Sequence, residues 1–161
     1  ILHCVMFPRP EYGLPMFGCD LVGGRGQISA AIVDLSPVTE SLPEGYTTAL
    51  DQLPVQTFAE ERDLPGWGSI FSPYCRFIRP ASADEEAAFV DLIANYLALH
   101  CQQAIATPAT PDQKAAIVAG QRHYCEQQQK NDKTRRVLEK AFGEAWAERY
   151  MTTVLFDLPE T

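Results

Sequence analysis

Ile1-Leu2-His3-Cys4-Val5-Met6-Phe7, Met16-Phe17-Gly18-Cys19-Asp20-Leu21-Val22 and Gln27-Ile28-Ser29-Ala30-Ala31-Ile32-Val33-Asp34-Leu35 are three near-continuous apolar runs. Pro8-Arg9-Pro10-Glu11-Tyr12-Gly13 and Gly23-Gly24-Arg25-Gly26 separate them with turn-forming residues. Runs of this length bounded by Pro and Gly predict three strands joined as hairpins. The informative residues are His3 and Asp20, which sit where the strand pattern expects apolar groups. A hairpin turning symmetrically about Glu11 and Tyr12 sets His3 directly opposite Asp20, on one face, with Cβ atoms ~5 Å apart. A second hairpin turning about Gly24 and Arg25 sets Ser29 opposite Asp20, so His3, Asp20 and Ser29 are expected as one polar row. A one-residue slip in either hairpin would destroy that row. An unpaired buried carboxylate is costly. The row therefore reads either as a structural hydrogen bond or as a proton-transfer pair, since an imidazole beside a carboxylate titrates as a coupled unit.

Outward from these strands, residues 36–68 are rich in Pro, Gly and acidic groups and read as a long surface excursion, with Ile70–Arg79 as a fourth strand. Ser82-Ala83-Asp84-Glu85 fits a capping box in which the serine caps an amide and the glutamate reaches back. It opens a helix with the apolar stripe Phe89, Leu92, Ile93, Tyr96, Leu97 and Cys101. After a Pro/Thr linker at Thr107–Asp112 comes a final helical region, with Leu138, Phe142, Trp146 and Tyr150 at four-residue spacing. A hairpin meander followed by long amphipathic helices predicts an α+β fold, an antiparallel sheet covered by helices.

The 161 residues are 46% hydrophobic and 21% charged, the composition of one globular domain with room for a core. The net charge of −8 argues against nucleic acid and anionic membrane as main partners. Residues 114–149 nevertheless carry a net positive charge, concentrated in Lys130-Asn131-Asp132-Lys133-Thr134-Arg135-Arg136. That run reads as a solvated helix face or as a site for carboxylates. Cys4, Cys19, Cys75, Cys101 and Cys125 are scattered and odd in number, which indicates reduced thiols and a cytoplasmic setting. His100 and His123 lie on predicted helices, where packing or exposure is the commoner fate of a lone histidine. No nicotinamide, flavin, nucleotide or metal motif is legible. The chain opens inside an apolar run, and we read it as part of a longer protein.

Ile1-Leu2-His3-Cys4-Val5-Met6-Phe7-Pro8, Tyr12-Gly13-Leu14-Pro15-Met16-Phe17-Gly18-Cys19-Asp20, Ser29-Ala30-Ala31-Ile32, Leu64-Pro65-Gly66-Trp67-Gly68 and His123-Tyr124-Cys125 through Arg149-Tyr150-Met151 resemble the ferredoxin-dependent bilin reductases. The resemblance runs over the whole chain except 39–60 and 106–120. It implies a three-layer α/β/α sandwich with a central antiparallel sheet flanked by helices. The chain would form the C-terminal two-thirds of such a protein as a single domain over 1–161, with the N-terminal strands, a helix and a further catalytic Glu upstream. The activity implied is four-electron reduction of biliverdin IXα to phycocyanobilin through bilin radicals. Electrons would come from a reduced two-iron ferredoxin, with no metal or flavin bound by the protein, which would act as a monomer. His3 and Asp20 fall on the family's proton-transfer pair. Ser29, Arg62 and Lys133 fall on propionate contacts, and Trp67 and Asn131 on the pocket lining. His3 and Asn131 together favour the phycocyanobilin branch over the phycoerythrobilin branch. A non-catalytic bilin carrier would need neither His3 nor Asp20. An acidic ferredoxin would dock on Lys130, Arg135, Arg136 and Lys140.

Overall fold

A computed structural model describes residues 1–158. Four strands form one antiparallel sheet in chain order: β1 (Leu2–Met6), β2 (Met16–Gly24), β3 (Gln27–Ser36) and β4 (Arg76–Ile78). Among the described residues five α-helices follow or interrupt them: α1 (Glu44–Asp51), α2 (Ala83–Ala106), α3 (Lys114–Gln128), α4 (Asp132–Phe142) and α5 (Glu144–Tyr150). The fold is thus α+β with helices on both faces of the sheet.

The first hairpin has the expected register, His3 paired with Asp20 and Cys4 with Cys19. The second does not. Its turn is Arg25-Gly26, both at positive φ (55° and 80°), between the paired residues Gly24 and Gln27. Two left-handed residues make the tight turn whose twist suits a hairpin. The register then shifts at Val22/Gly23, where Ser29 is an extra residue between Ile28 and Ala30. Beyond this bulge Asp20 faces Ile32, not Ser29. The combined displacement is odd in residue number, so every β3 side chain beyond the bulge lies on the face opposite to the one expected.

Alternation then divides the sheet. Phe17, Cys19, Ala31, Val33, Leu35 and Ile78 pack with α1 and α2 side chains, including Tyr46, Leu50, Phe89, Leu92, Tyr96 and Leu99. Each large side chain buried here contributes about 1.5–3 kcal/mol. The predicted surface excursion is in part core, because α1 buries Tyr46 and Leu50 and the loops around it bury Val38, Leu42 and Phe58. The fourth strand is shorter than expected, since a 3-10 turn occupies Gly68–Ile70 and only Arg76–Ile78 pairs. Ser82 caps α2 by accepting from the amide of Glu85, and the Glu85 carboxylate accepts from Ala81 and Ala59. The α2 stripe continues through Leu99 and His100, leaving Cys101 exposed. His100 is packed, stacked on Phe17 and hydrogen-bonded to the Tyr46 hydroxyl at 3.1 Å, whereas His123 is exposed.

On the opposite face α3 forms a second, smaller core of Met16, Val38, Ile70, Ile117, Tyr124, Cys125, Met151 and Phe156. The final helical region is broken rather than continuous. Asn131 caps α4, and Gly143 at φ 88° ends it. Phe142, Trp146 and Tyr150 still stack, with centroids 4.4 and 4.6 Å apart, but Phe142 is exposed and the ladder lies outside both buried clusters. An Arg135–Glu148 ion pair ties α4 to α5.

α3 approaches the loop after β3 so closely that a Cβ on Gly120 would fall 1.8 Å from the Val38 carbonyl oxygen. That contact involves backbone on both sides and has no flexible atom to yield. Gly120→Ala is expected to lower stability by about 3 kcal/mol, measured by urea unfolding, while Gly24→Ala, which meets nothing within 4 Å, stays far milder.

Candidate active site

Between the sheet and α3–α4, beside the second core, lies a cavity of about 520 Å³. Its floor is the alternating set that the bulged register turns away from α2: His3 and Val5 from β1, Gly18, Asp20 and Val22 from β2, and Ala30, Ile32, Asp34 and Ser36 from β3. Phe77 continues the floor on β4. Trp67 and Phe71 form one wall, and Asn131, Asp132, Lys133 and Thr134 bring the N-terminal turn of α4 to the rim.

On this floor Nδ1 of His3 is hydrogen-bonded to Oδ1 of Asp20. The His3 ring stands edge-on to Phe156, with centroids 5.5 Å apart. Its Nε2 is buried and has no hydrogen-bond partner among the described residues. Buried polar atoms are almost always paired, so this nitrogen marks where a bound molecule would make a hydrogen bond or exchange a proton.

Of the other residues singled out in the sequence, Arg62, Trp67, Asn131 and Lys133 all line the cavity. The Arg62 guanidinium lies over the Phe77 ring at 5.2 Å, and its amide donates to the Phe77 carbonyl. Asn131 uses its side-chain oxygen to accept from Thr134, which sets the start of α4. Ser29 is not there. It is exposed at the bulge, donating to the Val22 carbonyl at 3.0 Å, and the three-residue polar row reduces to the His3–Asp20 pair. Among the cations of the 130–140 segment, Arg136 pairs with Asp132 and Lys130 donates to Gln127 at 2.9 Å. Lys140 lies in the last turn of α4. The described residues contain no cluster of three or more His, Cys, Asp or Glu arranged to hold a metal ion. No helix among them is long and apolar enough to cross a membrane.

Sequence reasoning missed a third polar residue of the floor, Asp34, only 2% exposed. Its carboxylate accepts from the hydroxyl of Ser36 at 2.5 Å, from the hydroxyl of Ser72 at 2.6 Å and from the Ser72 amide at 3.0 Å. Burial pushes its pKa up to about 6, and these donors oppose the shift without cancelling it. The signal was available, since a carboxylate interrupts the third apolar run much as Asp20 interrupts the second. The expected register placed it on the wrong face. Tyr124 and Gln128 of α3 were missed too. The Tyr124 hydroxyl accepts from Gln128 at 3.1 Å, and burial pushes its pKa up.

The sheet thus carries a paired imidazole and carboxylate on the floor of a cavity edged by two cations, Arg62 and Lys133, and two carboxylates, Asp63 and Asp132. The chain belongs to the ferredoxin-dependent bilin reductases, whose family model matches residues 1–157. It is 62% identical over 163 residues to the phycocyanobilin:ferredoxin oxidoreductases of Synechococcus sp. and Synechococcus elongatus, and 59% identical over 162 residues to that of Trichodesmium erythraeum. These alignments cover 99% of this chain and 66% of each relative, so the chain spans just under two thirds of their length. In fold it is similar to the crystal structure of phytochromobilin synthase from tomato in complex with biliverdin. The TM-score is 0.71 at 19% identity, over 99% of this chain and 62% of that one.

The raised pKa of Asp34 has a consequence for stability. The folded protein holds this proton more tightly than the unfolded chain, whose carboxyl titrates near 3.8. The stabilisation is complete below pH 3.8 and is lost as pH rises to about 6, a change of about 3 kcal/mol. Urea unfolding between pH 4 and 7 is expected to show the native protein losing stability relative to Asp34→Asn over this window. Parallel profiles would contradict the assignment.

Proposed function

We propose that the complete protein reduces biliverdin IXα by four electrons to phycocyanobilin, through bilin radicals, with single electrons from a reduced two-iron ferredoxin. The observation that carries this reading is the His3–Asp20 pair, with its unpartnered Nε2, on the floor of a cavity between sheet and helices. The names of the closely similar relatives support the product, and the biliverdin in the tomato neighbour's complex supports the substrate.

The residues divide the work by their chemistry. Placing an electron on a conjugated tetrapyrrole in a low-dielectric cavity is costly unless a proton accompanies it. Asp20 orients His3 through Nδ1, leaving Nε2 as the point at which a proton is held or passed to the pigment. A positioned acid or base of this kind contributes about 10²–10⁴ in rate. Arg62 and Lys133, at the rim, would hold the propionates, Arg62 in bidentate fashion and Lys133 as a point charge. Trp67 would cover the pigment plane, and Asn131 would set the position of α4. Ser29, on the outside of the bulge, has no place in this binding scheme.

The helix that reaches the cavity is also the route proposed for the electron. α4 starts at the rim and carries Arg135, Arg136 and Lys140 outward, with Lys130 just before it. Arg135 and Arg136 are engaged by Glu148 and Asp132, so Lys130 and Lys140 carry most of the attraction for an acidic ferredoxin. The protein would work as a cytoplasmic monomer, with no metal or flavin of its own.

Two measurements check this reading. Asp20→Asn is expected to cut biliverdin turnover at least about 100-fold while biliverdin affinity changes only a few-fold, and normal turnover would refute the role of Asp20. Lys140→Glu is expected to slow electron transfer from ferredoxin several-fold at low salt and to flatten its dependence on ionic strength. Stopped-flow rates that match the unsubstituted protein at every salt concentration would refute the docking face.

A further inference from the structure

We propose that Asp34, set by Ser36 and Ser72, is a second proton-holding carboxyl of the cavity, and that the Tyr124 hydroxyl links it to the His3–Asp20 pair. The inference rests on the tetrapyrrole reading above and deepens it.

The geometry comes from the register. Asp20 pairs with Ile32, and Asp34 is the next residue of β3 on the same face, the diagonal neighbour at a spacing of roughly 7–8 Å. The residue directly opposite Asp34 is Gly18, so no side chain stands between the two carboxyl groups on β2. The space over Gly18 is taken instead by the Tyr124 hydroxyl, 3.2 Å from where a Cβ on Gly18 would be. Both Asp34 and Asp20 act electrostatically on that hydroxyl. The hydroxyl uses one lone pair to accept from Gln128, which leaves its own hydrogen available to a carboxylate.

The chemistry is a balanced proton shift without electron movement. In this structure the Tyr124 hydroxyl is hydrogen-bonded to Gln128; in the proposed step it closes on both carboxyl groups, giving its hydrogen to the Asp20 side as its oxygen takes the proton from Asp34, so one O–H bond breaks and one forms at the tyrosine. The net result is one proton moved from Asp34 to the His3–Asp20 pair. Burial disfavours a free tyrosinate, so the two transfers occur together. A carboxyl near pH 6 is suited to the task, because it is protonated in a useful fraction of molecules close to neutrality. A four-electron reduction consumes several protons, and one pair can hold few at a time.

The other groups that face Asp34 do not compete for this role. Cys75 beside β4, Tyr96 on α2 and Tyr124 on α3 all have their acidities suppressed by burial. Arg76 on β4 acts on the same neighbours from the α2 side of the sheet. Arg62, Asp63, Asp132 and Lys133 around the cavity supply a field that is the same in the variants compared below.

The test is a pH titration, between 5 and 8, of the absorption spectrum of biliverdin bound to the complete protein. In Asp20→Asn, one spectral transition with a midpoint near 6 is expected to remain, and it should vanish in the Asp20→Asn/Asp34→Asn double variant. Ser36→Ala removes a donor that favours the ionised carboxyl, so it should move that transition to higher pH with affinity nearly unchanged. The Ser36→Ala variant carries the test if the protein with the Asp34→Asn substitution does not fold. Normal biliverdin binding with a pH response unaltered by these substitutions overturns the inference alone. Failure of the unsubstituted protein to bind biliverdin overturns the tetrapyrrole reading and this inference with it.

Discussion

The pairing of β2 with β3, displaced by the bulge at Ser29, is the constraint on which the rest of the molecule depends. In a sheet, successive side chains point to opposite faces, so a register decides the surroundings of a whole strand at once. With Asp20 opposite Ile32, the small and branched residues Ala31, Val33 and Leu35 meet α2, and Asp34 and Ser36 meet the cavity. The opposite assignment would bury a carboxylate against Phe89 and Leu92 without donors, at a cost of several kcal/mol. The bulge allows a strand that is apolar almost throughout to serve both a core and a polar floor.

The two faces are finished differently. α1 and α2 close on theirs with a continuous apolar layer, as expected of the side that supplies most of the stability. α3 packs through Ile117, Tyr124 and Cys125 and approaches the Val38 carbonyl at Gly120, and α4 starts afresh at the Asn131 cap beside the cavity. The cavity lies between the sheet and these helices. Polar groups are tolerated on its floor because each is met by a partner: Asp20 by His3, Asp34 by three donors from Ser36 and Ser72, Tyr124 by Gln128. The exception is Nε2 of His3, and an orphaned polar atom in an otherwise satisfied environment is a mark of a functional site.

Charge follows the same division. The acidic chain concentrates its cations on and around α4, whose first turn also forms the cavity rim. Ion pairs to Glu148 and Asp132 hold that helix in shape and against α5. A single short helix thereby connects the ligand space to the most basic surface of the molecule. This arrangement suits the proposed function, in which an electron from an acidic donor would reach a bound pigment.

Much of this was written locally. The apolar runs, the Pro/Gly punctuation and the Ser82 cap specify strands, hairpins and a helix start through short-range sterics and hydrogen bonding, and the first hairpin's symmetry alone set His3 against Asp20. Family-specific blocks pointed to Arg62, Trp67, Asn131 and Lys133, which the fold gathers around one cavity. What the sequence did not determine was the second hairpin. Gly23-Gly24-Arg25-Gly26 can host a tight turn at more than one position, and a bulge has no sequence signature as strong as the turn itself. Tertiary packing settled it, because only one register buries Ala31, Val33 and Leu35 under α2. The same packing drew α1 into the core, left Phe142 outside it and turned Asp34 inward. Such outcomes depend on contacts between residues far apart in the chain, which no local pattern encodes.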